Sequence, residues 1–269
     1  MRNHLLLALA LLTARPTHAA ETAPAITLVT DAAPGRATRH GLARLAAALR
    51  ARGVTLEHTS SLATARGRQL IVTGTAAATL LRAARISPPT APESLLIRRL
   101  AHQVQPAVVL HGADDRGRMY ALLDAAECIG WAASPASDPL ADLRDATESP
   151  FVRDRSLSVY TMNRAHWESR FYDERYWARY FDLLAASRFN RFLIVFGYEN
   201  GGFLAPPYPY FFDTPGFPGV TMIDLTPEQQ RRNLAALNRL IELAHDRGIA
   251  VSLGIWDHIY RGAVQTGGA

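Results

Sequence analysis

Apolar and polar residues alternate along the first half of the chain with the periods of short strands and amphipathic helices. Residues 26–31 form a mostly apolar run, which predicts a buried strand. Apolar residues recur at helical spacing over 38–52, and Gly53 ends this predicted helix. The elements that follow are strand, strand, helix, strand, strand, helix, at residues 54–58, 69–73, 76–85, 95–100, 107–110 and 116–129. This order predicts a small α/β sandwich domain over residues 24–133.

The pattern changes in the second half of the chain. Residues 134–150 contain three prolines and no periodicity, which predicts a linker at a domain boundary. The predicted elements beyond it alternate between strands and helices, at residues 156–161, 173–187, 191–196, 226–247 and 249–255. We expect Tyr176, Tyr180, Leu183 and Leu184 to form the inner face of the first of these helices, with Trp177 also in the core. An order of β-α-β-α-β predicts a parallel sheet with right-handed crossovers.

Two architectures begin in this way, the TIM barrel and the doubly wound sheet. A doubly wound nucleotide-binding protein needs a glycine-rich turn after its first strand, and residues 162–167 contain no glycine. Aromatic and charged residues after each strand suit a barrel. A barrel needs about 250 residues, and fewer than half as many follow residue 150. We therefore expect a fragment in which residues 151–269 form the first three βα units of a (β/α)8 barrel, with the nucleotide-binding protein as an alternative.

Composition and charge exclude several classes of protein. Hydrophobic residues make up 48% of the chain and charged residues 20%, which excludes disorder. All 29 basic residues are arginines, and they are scattered, so the net charge of +5 does not predict nucleic-acid binding. The single cysteine, Cys128, excludes an intramolecular disulfide and is expected to be inert in a helix.

The amino terminus has the features of a secretory signal peptide. Arg2 precedes an apolar run over residues 5–12, and residues 17–19 provide the small residues of a cleavage site. We expect cleavage after Ala19 or Ala20 and a periplasmic or secreted protein, with 1–19 as the signal peptide. The alternative is an uncleaved anchor or a core helix. The run is too short to span a bilayer, and no later segment is long enough, so no integral membrane span is expected.

The motif Asp115-Arg116-Gly117 with Tyr120, after an apolar strand, resembles the α/β domain that precedes the barrel of family-20 glycoside hydrolases, the β-N-acetylhexosaminidases. Family-67 α-glucuronidases carry a similar domain. Ala121 replaces a glycine that is usual in the family. The segments YWARYFDLLAASRFNRFLIVF and LIELAHDRGIAVSLGI also resemble the barrels of these enzymes, so the resemblance covers most of residues 26–260.

The resemblance implies roles for individual residues. Arg155 corresponds to an arginine that binds the sugar from the head of the first barrel strand, although Ser156 follows it where the family has glycine. Arg164 resembles a second arginine at the end of that strand, with a spacing one residue longer. Asp257 and His258 match part of an acidic-x-Asp…His signature after the third strand. The catalytic Asp-Glu pair of the family follows a fourth strand, so it is expected beyond residue 269 and this chain alone is expected to be inactive.

Glycosidases generally place two carboxyl groups about 5–5.5 Å apart for retention of configuration, or roughly 6.5–9.5 Å apart for inversion. Glu199 and Asp257 follow neighbouring predicted strands and are weak candidates for such a pair. They are otherwise expected to bind sugar hydroxyls or to have structural roles. The complete set of candidate substrate-binding residues is Arg155, Arg164, Tyr198, Glu199, Trp256, Asp257 and His258.

The loop after the second barrel strand is rich in aromatic residues, which are Tyr198, Phe203, Tyr208, Tyr210, Phe211, Phe212 and Phe217. They are predicted either to stack on sugar rings or to pack the loop onto the barrel rim. His166 with Glu168, and Asp257 with His258, lack the spacing of a known metal site, so neither a metal nor a cofactor is expected.

The sequence therefore predicts the front part of an exported glycoside hydrolase acting on glycans that contain hexosamine or uronic acid. In the hexosaminidases it resembles, the acetamido group of the substrate is the nucleophile. The alternative is a non-catalytic secreted carbohydrate-binding protein.

Overall fold

A computed structural model describes residues 26–134, 138–158, 170–196, 210–213, 215–219, 221 and 225–255. It contains two β-sheets, each with helices packed on it. We term the first sheet with its helices the first unit and the second sheet with its helices the second unit. The predicted signal peptide lies outside the described residues and stays a prediction. Within the described ranges, each helix is too short or too polar to cross a membrane.

The first sheet has six strands. The elements of this part in chain order are β1 (Ile26–Val29), α1 (Arg36–Ala51), β2 (Leu56–Thr59), β3 (Gln69–Val72), α2 (Gly74–Ala83), β4 (Leu95–His102), β5 (Gln105–Gly112), α3 (Asp115–Trp131) and β6 (Ala146–Glu148). The strands lie in the order β2-β1-β3-β5-β4-β6; β1, β2, β3 and β5 run parallel to one another, whereas β4 is antiparallel to both β5 and β6. The order of the elements along the chain confirms the predicted α/β succession.

Helices cover both faces of this sheet because alternate strand residues point in opposite directions. Leu28 and Ile71 belong to the core that includes α1 and α3. Their neighbours Val29 and Val72 belong to a second core, which α2 covers. The first core continues into the second half of the chain, where it includes Phe192 of the next sheet. The two halves are therefore packed on shared apolar residues.

The segment predicted as a linker has more structure than its sequence indicates. Residues 146–148 form β6, which extends the first sheet by pairing with β4. Leu140 and Leu143 are buried in the first of the two cores. The guanidinium group of Arg99 donates to the carbonyl groups of Leu140 and Leu143. An edge strand of three residues carries too little periodicity to be recognised, and its position comes from these tertiary contacts.

The elements of the second half in chain order are β7 (Ser156–Ser158), α4 (Glu174–Ala186), β8 (Arg191–Phe196), α5 (Pro227–His245) and β9 (Ala250–Ile255). The three strands form the second sheet and lie parallel in the order β7-β8-β9. The parallel order matches the prediction. The described strands form an open sheet and do not close into a barrel, so the barrel itself stays a prediction.

Two helical predictions have different outcomes. The helix predicted over residues 226–247 is observed as α5, where Thr226 and Gln229 form a capping box and Pro227 lies in the first turn. In α4 the predicted inner face is partly wrong, because Leu183 is 61% exposed. The buried stripe contains Trp177 and Phe181, whose rings lie 5.9 and 5.3 Å from that of Phe192. The core position of Trp177 is thus confirmed. Two overlapping apolar stripes run along α4, and contact with β8 decides which of them faces the core.

Candidate functional site

The carboxyl ends of the second sheet define one candidate site. Phe196 of β8 pairs with Ile255 of β9, so these two strands end side by side. In parallel α/β folds, binding sites form at this edge of the sheet. The candidate residues Arg164, Tyr198, Glu199, Trp256, Asp257 and His258 lie outside the described residues. The structure therefore shows how the preceding strands end, and the roles of these residues stay predictions.

Arg155 lies at the opposite, amino-terminal edge of this sheet, immediately before β7. Its guanidinium group donates to the Glu93 carboxylate and, from Nη1, to the carbonyl oxygen of Val152 at 2.7 Å. Its backbone N–H donates to Oδ1 of Asn190 at 2.9 Å. The side chain is 17% exposed. Through these contacts the guanidinium group of Arg155 binds partners within the protein. The predicted sugar-binding role of Arg155 stays a prediction.

Glu93 is the centre of a buried polar cluster between the two units. Its carboxylate accepts from Nη1 of Arg116 and Nδ2 of Asn190, each at 2.9 Å, and also from Arg155. Burial by itself would raise the pKa of Glu93, but hydrogen bonds from Asn190, Arg155 and Arg116 outweigh it and lower that pKa below its ordinary value. The carboxylate is therefore ionised, and it holds together residues from both units.

Asn190 extends this cluster along the amino-terminal edge of the second sheet. It stands directly before β8, where its side chain contacts both Glu93 and the backbone of Arg155. Its carbonyl oxygen accepts from the N–H of Ala250, the first residue of β9, at 2.9 Å. One side chain and its backbone thus connect the starts of three strands to the first unit. We term Glu93, Arg116, Tyr120, Arg155 and Asn190 the junction cluster.

The motif that carries the family resemblance has a structural explanation. The Asp115 carboxylate accepts from the backbone N–H groups of Ala37 and Thr38, at 3.0 and 3.2 Å, and so caps the start of α1. Arg116 pairs with Glu93. A Cβ atom on Gly117 would lie 2.2 Å from the carbonyl oxygen of Ser94, so only glycine fits there. Within the described contacts, the motif joins structural elements together.

Tyr120 completes the motif and the cluster. It is 1% exposed, and its hydroxyl lies 3.5 Å from Glu93 and 3.4 Å from Nη2 of Arg155. The guanidinium carbon of Arg188 lies 4.9 Å from the centre of its ring. Burial, followed by the nearby Glu93 charge, raises the pKa of Tyr120, so the hydroxyl remains protonated. A cleft of about 380 Å³ lies beside it and is bordered by the exposed ring of Phe151.

A second polar contact joins α1 to the helices of the second unit. Nε of Arg247 pairs with Oδ1 of Asp182 at 2.6 Å, and Nε2 of His40 lies 3.8 Å from the same oxygen. Burial lowers the pKa of His40 to about 4, so its imidazole is neutral at pH 7 and the contact with Asp182 is then no ion pair. Nε of Arg36 pairs with Asp246 at 2.8 Å.

Sequence reasoning assigned no site role to Glu93 or Asn190. In the sequence, these two residues are recognisable only as polar residues shortly before an apolar strand. Many loop residues occupy such positions, so this feature does not identify a site. The aromatic loop is only partly described: Tyr210 and Phe211 are buried, whereas Phe212 and Phe217 are 48% and 65% exposed. Its two described buried rings are thus part of the first core, and the choice between stacking on sugar rings and packing onto a barrel rim stays a prediction. No group of three or more potential metal-binding side chains occurs among the residues that the structure describes.

The fold of this chain is similar to part of the fold of solved glycoside hydrolases. Two of the solved structures that match are a GH138 enzyme targeting the pectin rhamnogalacturonan II and a GH115 4-O-methyl-α-glucuronidase with specificity for decorated arabinogalactans. No protein-family model and no curated protein matches the sequence.

The matches cover most of this chain and a smaller part of the other proteins. The GH138 enzyme has a TM-score of 0.63 and 15% sequence identity over 86% of this chain, and the GH115 enzyme has 0.51 and 15% over 84%. The chain spans about a third or less of these two proteins, 31% and 28% respectively. At this identity the similarity establishes the fold alone. It supports the glycoside hydrolase-like part of the predicted resemblance and does not select family 20 or 67.

Proposed function

We propose that this chain is the amino-terminal part of an exported glycoside hydrolase, whose catalytic carboxyl groups lie beyond residue 269. One observation carries the proposal: β7, β8 and β9 are parallel, so their carboxyl ends share one edge of the sheet. Residues suited to sugar binding follow these strands in the sequence. The described open sheet and the small share of the GH138 enzyme that the chain covers support further βα units that complete a barrel.

In this proposal Arg164, Glu199, Asp257 and His258 bind the substrate, and Tyr198 and Trp256 stack on its rings. Carboxylates accept hydrogen bonds from sugar hydroxyls, and aromatic faces cover the C–H faces of sugar rings. Arg155 is the exception among the candidates, because its described partners assign it to the junction cluster.

The substrate class in the proposal is a glycan that contains uronic acid or hexosamine. The printed description of the GH115 enzyme, a 4-O-methyl-α-glucuronidase, supports the uronic-acid alternative. A buried junction of charged groups at the amino-terminal edge also supports the proposal, since that end of a barrel serves stability and leaves the other end for chemistry.

The first test is the DNA that follows the codon for Ala269. We expect the reading frame to continue for about 150 or more residues, roughly the missing βα units. The continuation should contain a pair of acidic residues after a fourth strand. An immediate stop codon would contradict the hydrolase and would favour the non-catalytic carbohydrate-binding protein.

The second test measures sugar release by the protein that this frame encodes, with decorated arabinogalactan and rhamnogalacturonan II as substrates. Glu199→Gln and Asp257→Asn should each raise KM about tenfold or more, because each removes a charged hydrogen-bond acceptor. Glu242→Gln, near the other end of α5 and 56% exposed, is the matched control and should leave KM unchanged, because that end of the helix lies away from the carboxyl edge of the sheet. Unchanged KM in both test variants would remove these residues from the site.

A further inference from the structure

A groove between the two units has the features of a second binding surface. It has a volume of about 430 Å³ and lies between α1, α3 and α4. Ala186, the last residue of α4, lines it, so the groove lies near the start of β8 and away from the carboxyl edge of the sheet. The volume is within the usual range for small-molecule sites.

Trp131 provides an aromatic surface at this groove. It is the last residue of α3, and 80% of its surface is exposed. A large apolar side chain exposed on a helix often marks an interaction surface. Because Ile129, two residues earlier in α3, is buried in the first core, the backbone that carries the indole is held in place, which limits the entropy lost on binding.

Gly130 keeps the groove open beside this ring. A Cβ atom added to Gly130 would have no neighbouring atom within 4 Å, and its backbone is not among those with positive φ. Neither backbone geometry nor close packing therefore requires glycine here, although glycine within a helix costs up to about 1 kcal/mol relative to alanine. Any larger side chain at this position would extend into the space that adjoins Trp131.

Two charged side chains on different helices remain available for a ligand. Arg44 on α1 and Glu127 on α3 line the groove and have no hydrogen bond or ion pair within the described part of the chain. The other acidic groups of the groove are already paired, Asp124 with Arg188 and Asp182 with Arg247, each at 2.6 Å. The free guanidinium group donates hydrogen bonds and the free carboxylate accepts them.

We propose that this groove is a non-catalytic binding site for a glycan chain. An exposed indole covers the C–H face of a sugar ring, and Arg44 and Glu127 bind its hydroxyl groups. A protein partner would need an interface larger than a groove of this size provides. The choice of a glycan rests on the proposed carbohydrate function. A bound polymer at this end would keep the enzyme on its substrate while the carboxyl edge cleaves elsewhere, as two linked sites raise avidity.

The test is affinity gel electrophoresis of the protein that the complete reading frame encodes, in gels that contain arabinogalactan or rhamnogalacturonan II. We expect at least one polymer to retard the chain. Trp131→Ala and Gly130→Leu should each weaken the apparent Kd at least about tenfold, because the first removes the stacking surface and the second fills the groove. Thermal unfolding of each variant verifies that it is folded.

Two matched controls separate the groove from other effects. Phe151→Ala removes another exposed aromatic ring from a different cleft and should leave retardation unchanged. Gly130→Ala changes the helix propensity as Gly130→Leu does without filling the groove, and it should bind normally.

The outcomes distinguish this inference from the proposed function. Retardation of the wild type that persists in Trp131→Ala and Gly130→Leu would overturn the groove site while leaving a carbohydrate-binding protein. No retardation in either polymer would also overturn it, and the hydrolase would still be tested by the reading frame and by sugar release.

Discussion

At the scale of single residues, Glu93 shows why a buried charge can be tolerated at a junction. It is 8% exposed, and two arginines and Asn190 donate hydrogen bonds to it. The cost of removing such a carboxylate from water is offset only when its oxygen atoms are fully paired. The same pairing makes the site sensitive to the loss of one charge, because two guanidinium groups then lose their counterion.

Replacing Glu93 with glutamine should destabilise the protein by about 3 kcal/mol, because it leaves Arg116 and Arg155 partly buried without a compensating charge. The measurement is urea unfolding at pH 7. Glu148→Gln is the control: that side chain is 56% exposed and 3.4 Å from Arg188, so its loss should cost less than about 1 kcal/mol. Equal effects of the two substitutions would contradict a structural role for the junction cluster.

The neutral state of His40 predicts a loss of stability in mild acid. Its pKa falls from 6.5 to about 4 on folding, because burial outweighs the facing Asp182 and Asp246 while Arg247 and Arg44 also lower it. The unfolded chain therefore binds the proton more tightly, and stability decreases as the pH falls below 6.5 toward 4. The contribution of His40 should fall by about 2 kcal/mol between pH 7 and pH 5.

The measurement is urea unfolding of the wild type and His40→Gln at both pH values. Since glutamine does not titrate in this range, the variant should lose about 2 kcal/mol less than the wild type. Parallel losses in both proteins would show that other groups cause the acid sensitivity.

At the scale of elements, α3 joins the two units because its residues serve different neighbours. Asp115 caps α1, Arg116 reaches Glu93, and Gly117 lies against the chain that leads into β4. The opposite end of the helix carries Gly130 and Trp131 at an open groove. The two glycines of α3 thus lie in opposite environments.

This contrast predicts opposite effects of two alanine substitutions in the same helix. Gly117→Ala should lower stability by about 2 kcal/mol or more, since its Cβ would lie 2.2 Å from the Ser94 carbonyl oxygen. Gly130→Ala should raise stability by roughly 0.5–1 kcal/mol through helix propensity, because its Cβ meets nothing within 4 Å. Thermal unfolding of both variants measures the difference, and effects of the same sign would contradict the described packing.

At the scale of the whole molecule, the second sheet has an open edge in the part that the structure describes. Strand β9 pairs with β8 along one side, and Leu253 in β9 is 55% exposed. An unpaired strand with exposed apolar residues tends to join another chain. We therefore predict that this chain by itself is poorly soluble.

Leu253→Lys should therefore increase the soluble fraction of the 269-residue chain, since a charge on an edge strand opposes pairing between copies. The measurement is sedimentation of the chain at increasing concentration. Val104→Lys is the control, because Val104 is 95% exposed between β4 and β5 and lies away from the open edge. Equal gains from the two substitutions would indicate that net charge, and not the edge, limits solubility.

The sequence by itself determined most elements, because apolar periodicity and end signals are local. It identified β8 at residues 191–196, the helix that the structure shows as α5 and the α/β order of the first unit. It also directed attention to the residues that follow the strands of the second sheet, where sites form in parallel folds.

Tertiary structure decided what depends on contacts between distant residues. It placed β6 beside β4, turned α4 so that Trp177 and Phe181 meet Phe192, and gathered Glu93, Arg155 and Asn190 into one cluster. A single polar residue before a strand has no periodicity to reveal its partner. Such positions become recognisable only when folding brings together groups that are distant in the sequence, as it does for Glu93 and Asn190, which are 97 residues apart.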